Sequence, residues 1–263
     1  MTVGYLGPTG SYSQIAAETF RPSAKLQEYT TFPELFSALV DGRCDYIAVP
    51  IENSLNGGVL QNIDLLQKHG GIIACEEHTV KIDHRLATLD GADLKNIKRI
   101  YSHPQALAQC GEYLARNFPH AELIASTSTA ASLSMIKDCT EAGIVGAHTH
   151  AEGVKLSDEN IADEAVNLTH FLLVRRGNES DVEHSEKVFF SATCRHKPGE
   201  LLDLLSLIRG LNMTKIESRP IKEKPGEYRF FIEIEADISS NETISLLDKV
   251  KQTAHSFKLL GAY

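Results

Sequence analysis

An α/β fold followed by a smaller βαββαβ module is what this sequence predicts, and three observations carry the prediction. Strand-like and helix-like patterns alternate through the first two thirds of the chain, which argues for a mostly parallel sheet wrapped by helices. Short polar motifs stand where strands hand over to helices. After the polar stretch Gly177 to Glu186 the order changes to strand, helix, strand, strand, helix, strand.

Taken in order, the apolar run at Val3, Tyr5 and Leu6 is a first strand, and GPTGSYS (Gly7 to Ser13) opens a helix. Thr31 with Glu34 forms a capping box ahead of the stripe Leu35, Phe36, Leu39 and Val40, and Gly42 suits the helix end. A buried strand, Tyr46 to Val49, runs into VPIENSLNGGV and a helix carrying Val59, Ile63 and Leu66. The strand Ile97 to Tyr101 precedes a second capping-box match, Ser102 with Gln105, with Pro104 in the first turn. A third helix start is expected at Ser126 to Thr129, and NLTHF (Asn167 to Phe171) begins a buried strand. The domain boundary falls in Gly177 to Glu186. Beyond it come strand Val188 to Cys194, helix Gly199 to Arg209, strands Thr214 to Pro220 and Tyr228 to Glu235, helix Ile244 to His255, and strand Phe257 to Leu260.

A chain of 263 residues is long enough for two domains, and 42% hydrophobic with 23% charged residues is ordinary globular composition. A formal charge of -9 without any Lys/Arg block excludes non-specific nucleic-acid and anionic-membrane binding. An anionic ligand would need local positive potential from helix N-termini and a few basic side chains. Neither an export signal nor the ~20 apolar residues of a membrane span is visible. Five widely spaced cysteines, never paired as CxxC, speak against disulfides and thiolate zinc and for a reducing cytoplasm. His148 and His150 lack a well-spaced third metal ligand, and Cys110 has no basic neighbour in sequence, so it reads as a small buried hydrophobe.

Each polar motif fits two descriptions. Gly7 to Ser13 is either a plain turn or a carboxylate receptor in which Ser11 and Ser13 take part. Glu52, Asn53 and Ser54 exceed what one helix cap needs, yet capping remains open. Ser102 and Gln109, seven residues apart, share a helix face if the helix begins near Ser102, where Ser102 would otherwise be the N-cap. In NLTHF, Asn167 and Thr169 share a face by the period-two rule, whereas His170 points oppositely unless the backbone is irregular.

In this order the four motifs resemble prephenate dehydratase over nearly the whole chain, and HKPGELLDLL with LNMTKIESRPIK resembles the two regulatory motifs of its ACT domain. The resemblance implies a two-lobed catalytic domain of periplasmic-binding-protein type II over residues 1–178 (lobes 1–77 with 168–178, and 78–167), a linker at 179–186, and a ferredoxin-like ACT domain at 187–263. It implies removal of carbon dioxide and the ring hydroxyl from prephenate, with no cofactor or metal. Thr169 falls on the family's essential threonine, and Asn53, Ser102 and Gln109 on its other catalytic positions. Glu52, Ser54, Ser11, Gln105, Ser128, Thr129, His170 and Phe171 are the substrate-binding candidates. Phenylalanine is the implied effector, held between two modules of a homodimer or homotetramer by Gly199, Glu200, Leu201, Leu202, Asn212, Glu217, Ser218, Arg219 and Pro220.

Three positions depart from the family pattern. His170 stands where arginine is usual, Asn56 where glutamate is frequent, and Glu200 where a small residue is usual. His170 is expected to take over part of the anion contact, so that turnover falls as the imidazole deprotonates. No helical extension precedes Thr2, so a monofunctional chain is expected. Arogenate dehydratase, a prephenate decarboxylase and a non-catalytic amino-acid sensor are the competing readings, and retention of Thr169 favours dehydration over a sensor.

Overall fold

The computed structural model describes residues 1–178, 181–182, 184–195, 197–221, 224 and 226–263. Glu179, Ser180 and Glu183 of the expected linker, His196 of the first regulatory motif and Lys222 of the second lie outside the described residues.

The first unit runs β1 (Thr2–Leu6), α1 (Tyr12–Phe20), β2 (Lys25–Tyr29), α2 (Phe32–Val40), β3 (Tyr46–Asn53), the short β4 (Gly57–Gly58), α3 (Leu60–Lys68) and β5 (Ile72–Lys81). Thr31 caps α2, its hydroxyl accepting from Glu34 N at 3.3 Å, while the Glu34 carboxylate returns to Thr30 rather than to Thr31. Leu35, Phe36 and Leu39 are fully buried, but Val40 lies off the stripe and is exposed. Gly42, at φ +77°, ends the helix in the conformation that glycine adopts without strain.

The second unit runs β6 (His84–Leu89), β7 (Arg99–Ser102), α4 (Pro104–Gln109), α5 (Gly111–Asn117), β8 (Glu122–Ala125), β9 (Glu141–Gly146) and β10 (Val154–Leu156), forming a five-stranded sheet in the order β10-β6-β9-β7-β8. A 3₁₀ turn at Ala130–Met135, with Ser128 Oγ accepting from Ala131 N, stands where a third helix was expected. The chain then returns as β11 (Leu168–Arg176), antiparallel between β3 and β5. Both sheets are therefore mixed rather than mostly parallel.

The last third is β12 (Lys187–Thr193), α6 (Glu200–Leu207), β13 (Met213–Pro220), β14 (Tyr228–Glu235), α7 (Asn241–Thr253) and β15 (Ser256–Ala262). This is the expected βαββαβ order, although α7 begins three residues before the predicted Ile244 because Ser240 caps it through Thr243 N. Alternation along β12 serves two cores. Val188, Phe190 and Ala192 pack among residues of α6 and α7, whereas Phe189 joins Leu66, Leu172 and Phe36 of the first unit.

One sheet of ten strands spans both parts, ordered β13-β14-β12-β15-β5-β11-β3-β1-β2 with β4 beside β3. Its junction is the single parallel pairing of Gly261 with Ala74. A Cβ at Gly261 would lie 2.7 Å from Ala74 Cβ and 3.1 Å from Ala74 O. Nearby, Lys258 Nζ donates to the carbonyls of Leu66, Gln67 and His69 at the C-terminus of α3, and burial pulls this amine down to about 8. Gly261→Val is therefore predicted to cost about 1–3 kcal/mol by overpacking, read as a lower urea midpoint with an unchanged slope. A midpoint equal to the parent's would show that the sheets do not depend on this approach.

Candidate active site

β3 and β11 are antiparallel neighbours with Thr169 directly opposite Asn53, and this register fixes the centre of the site. The Asn53 amide nitrogen donates to Asn167 Oδ1 at 2.7 Å, to Thr169 Oγ1 at 3.0 Å and to Leu168 O at 3.2 Å. Its oxygen accepts from Leu55 N, Asn56 N and Asn56 Nδ2 at 3.1, 3.1 and 2.8 Å. The amide cannot rotate without losing both sets of partners. Because an amide nitrogen only donates, Thr169 Oγ1 is the acceptor of that bond, and its own proton remains available.

The facing wall comes from the second unit. Gln109, the last residue of α4, accepts at Oε1 from Asn167 Nδ2 at 3.2 Å, and His84 Nε2 lies 2.8 Å from the same oxygen. A cavity of about 430 Å³ lies between the walls, and Asn53, His84, Gln109, Asn167, Thr169 and Phe171 all border it. Two further contacts tie the walls together. Tyr12 donates its hydroxyl to Asp83 O and accepts from Asp83 N at 2.9 Å, and burial pushes its phenol up to about 12, so it stays protonated. His148 Nε2 sits 3.0 Å from Gly10 O and packs edge-on to Tyr12. Gly10, at φ +84°, presents that carbonyl from a left-handed turn.

Of the residues the sequence singled out, Asn53, Gln109, Thr169, Gln105, Ser128, Thr129 and Phe171 line the cavity. Ser102 does not. It is the last residue of β7, an interior strand between β9 and β8, is fully buried, and its hydroxyl donates to Ile144 O at 2.8 Å; His103 caps α4 instead, accepting Gln105 N at Nδ1. Ser11 is the N-cap of α1, with its hydroxyl on Leu6 O at 3.0 Å. Ser54 accepts from Leu168 N and holds the chain crossing between units. Ser13, which the sequence offered as part of a carboxylate receptor, also lines the cavity, as do Tyr12, His84, His103 and Thr127, for which it gave no such role; no Lys or Arg does so among the described residues. Cys110 is fully buried, and burial holds its thiol up to about 12.

Glu52 and His170 are the clearest corrections. They are paired across β3 and β11, one residue from Asn53 and Thr169, so the alternation of a strand turns both to the opposite face. There Glu52 forms an ion pair with Lys215 of β13. His170 Nδ1 lies 3.1 Å from Thr79 Oγ1 and 3.3 Å from Glu77 Oε1. Lys187 Nζ reaches Glu77 at 2.7 Å and Glu233 at 3.4 Å, and Glu233 also holds the Tyr263 hydroxyl and Thr214. Burial alone would raise the Glu77 carboxyl, but hydrogen bonds from His170 and Lys187 outweigh it and pull the group from an ordinary 4.5 to about 2.

Among the nine effector candidates, Gly199 precedes α6 in a left-handed conformation, Glu200, Leu201 and Leu202 form its first turn, Asn212 accepts from Glu235 N, and Glu217 to Pro220 close β13. Arg219 of that group forms a paired bridge to Asp64 on α3, Nε to Oδ1 at 3.2 Å and Nη2 to Oδ2 at 2.6 Å.

A carboxyl depressed in the folded state contributes stability that is present above its ordinary titration and lost as pH falls through the folded value. Unfolding free energy is therefore predicted to fall between about pH 4.5 and about pH 2 in part through Glu77. Glu77→Gln should flatten that section of the acid limb in denaturant titrations, and an unchanged slope would refute the contribution.

A family model described as prephenate dehydratase matches residues 3–179. The prephenate dehydratase of Lactococcus lactis subsp. cremoris is 33% identical over 274 residues, covering 100% of this chain and 97% of that protein. The bifunctional chorismate mutase/prephenate dehydratase of Neisseria gonorrhoeae is 34% identical over 271 residues, covering 100% of this chain and 74% of its own length. The crystal structure of prephenate dehydratase from Arthrobacter aurescens in complex with L-Phe superposes with a TM-score of 0.88 at 27% identity, covering 100% of this chain and 90% of that one.

Proposed function

The chain belongs to the prephenate dehydratase family and is a hydro-lyase that converts prephenate to phenylpyruvate, and we propose that Thr169, oriented by Asn53, meets the departing hydroxyl. The supporting observation is the direction of the bond between them: Asn53 Nδ2 donates to Thr169 Oγ1 at 3.0 Å, which leaves the threonine proton to point elsewhere.

In the reaction the bond to the ring carboxylate breaks and releases carbon dioxide. Its electron pair completes the benzene ring as the carbon–oxygen bond breaks, and the hydroxide formed needs a proton to leave as water. Threonine is a weak acid, so Thr169 acts as an oriented donor to the oxygen on which charge grows, while aromatisation supplies most of the driving force. The dianion is received without a lysine or arginine in the lining among the described residues. Gln105, Ser13, Ser128 and Thr129 offer neutral donors instead, beside the first turn of α1. Fixed dipoles in a narrow cavity bind a carboxylate at a low cost of reorganisation.

The wider organisation follows the same reading. Residues 1–178 form the catalytic domain as two lobes of periplasmic-binding-protein type II, 1–77 with 168–178 and 78–167, and 187–263 form a ferredoxin-like ACT domain joined by 179–186. The two sheets with the cavity between them and the βαββαβ order support this. Phenylalanine acts as feedback inhibitor, bound between ACT modules of a homodimer or homotetramer in the cytoplasm. Leu202, 68% exposed at the start of α6, and the outer position of β13 support a second module there. Three bridges, Lys215 to Glu52, Arg219 to Asp64 and Lys187 to Glu77, give effector binding a route to β3, α3 and β5.

Turnover is tested by following phenylpyruvate from prephenate by its alkaline absorbance. Thr169→Ala is predicted to lower kcat by about 10²–10³ and Thr169→Ser by less than about tenfold. A Thr169→Ala enzyme with parental kcat would end the assignment, and turnover of arogenate alone would move the substrate. Asp64→Asn is predicted to keep uninhibited activity within about twofold while raising the half-inhibitory phenylalanine concentration about tenfold. Unaltered inhibition in that variant would exclude the Arg219 bridge from the route.

A further inference from the structure

His84 has no assigned part in the reaction, yet its surroundings specify one. It opens β6, is 3% exposed and borders the cavity. Its Nε2 lies 2.8 Å from Gln109 Oε1, an atom that only accepts, so Nε2 carries the imidazole proton. That same oxygen takes a second bond from Asn167 Nδ2 at 3.2 Å, which fixes the Gln109 amide with its nitrogen turned the other way. Two buried atoms are then left without a hydrogen-bond partner, Gln109 Nε2 and His84 Nδ1. One is a donor and the other a bare lone pair. Burial lowers the imidazole pKa and keeps the ring neutral, so Nδ1 remains an acceptor.

A buried acceptor with no partner is costly unless the ligand supplies one. Resting on the reading of the cavity as the prephenate site, the chemistry narrows to a single group. Prephenate as a dianion carries two carboxylates and a keto group, all acceptors, and its ring hydroxyl is its one donor. We propose that His84 is a substrate-recognition residue whose Nδ1 accepts the ring hydroxyl of prephenate, while Gln109 Nε2 donates to a carboxylate or keto oxygen. The hydroxyl is thereby turned so that an oxygen lone pair, rather than its hydrogen, faces the Thr169 proton. As the carbon–oxygen bond lengthens, the bond from Thr169 strengthens and the bond to His84 weakens. His84 therefore acts mainly on binding and on substrate choice.

Two substitutions separate the two ring nitrogens. His84→Gln places an amide nitrogen where Nε2 stood, keeping the bond to Gln109 but removing the acceptor. His84→Asn places an amide oxygen near the Nδ1 position and loses the other bond. His84→Gln is expected to raise KM for prephenate about tenfold, with kcat changed less. The inhibition constant of the product phenylpyruvate, which has no ring hydroxyl, should stay within about twofold, and His84→Asn should recover most of the lost KM. An unchanged KM in His84→Gln, or equal weakening of prephenate and phenylpyruvate, overturns the proposal. Nitrogen-15 shifts of the parent enzyme keep it testable if a variant fails to fold. The neutral Nε2–H tautomer is expected, with the Nδ1 resonance moving when a saturated, unreactive hydroxyl analogue binds. An Nδ1–H tautomer overturns it. Turnover of prephenate by the parent enzyme is scored separately, so loss of the substrate assignment is not confused with loss of the His84 contact.

Discussion

The carboxamide of Asn53 has two hydrogens and one oxygen, and every one is engaged in a direction set by the backbone. Its oxygen takes two backbone N–H groups of the turn after β3, and its nitrogen faces Leu168 and Thr169 of the partner strand and Asn167 just before it. Buried polar atoms of this kind are held to one arrangement because any other leaves a donor or acceptor without a partner. The consequence passes along the row. Asn167 is fixed between Asn53 and Gln109, Gln109 between Asn167 and His84, and Thr169 accepts from Asn53 with its own proton left uncommitted. A cavity-lining hydroxyl with a free proton is what the proposed donor to a departing hydroxide requires.

Alternation along β3 and β11 gives each strand two duties. Asn53 and Thr169 face the cavity, whereas on the other face Glu52 pairs with Lys215 of β13 and His170 contacts Glu77 of β5, which Lys187 of β12 also holds. The two faces share a backbone, so under the proposed regulation a displacement of the C-terminal module would act on the same peptide groups that carry Asn53 and Thr169. Gly261 lets β15 join β5 at a single pair, and Lys258 closes the carbonyl end of α3. The ten-stranded sheet carries both one wall of the cavity and the C-terminal module.

Much of this was legible in the sequence because it is written in local rules. Capping by Thr31, the buried stripe Leu35, Phe36 and Leu39 of α2 and the βαββαβ order depend on neighbouring residues, and the structure shows them, although Val40 leaves the stripe and Glu34 turns to Thr30. The period-two rule also placed Asn167 and Thr169 on one face and His170 on the other, although the resemblance drew His170 into the site. What failed depended on where a strand stopped. Ser102 reads as a helix cap, but pairing with Ala125 carries β7 one residue further, and the buried hydroxyl donates to Ile144 O of the neighbouring β9. Glu52 exceeded capping needs for a different reason from the one inferred, since its partner Lys215 is distant in sequence. His84 carried no local signal. It stands in an ordinary strand start, and its meaning comes from Gln109 across the fold.

The most direct test of the account is a crystal structure with a ring-saturated prephenate analogue that keeps the hydroxyl and cannot aromatise. The account predicts the analogue between the two sheets, its hydroxyl oxygen about 2.6–3.0 Å from Thr169 Oγ1, with the Asn53 amide still donating to that threonine. An analogue whose hydroxyl lies beyond hydrogen-bond reach of Thr169, or an Asn53 amide turned to leave Thr169, would contradict it.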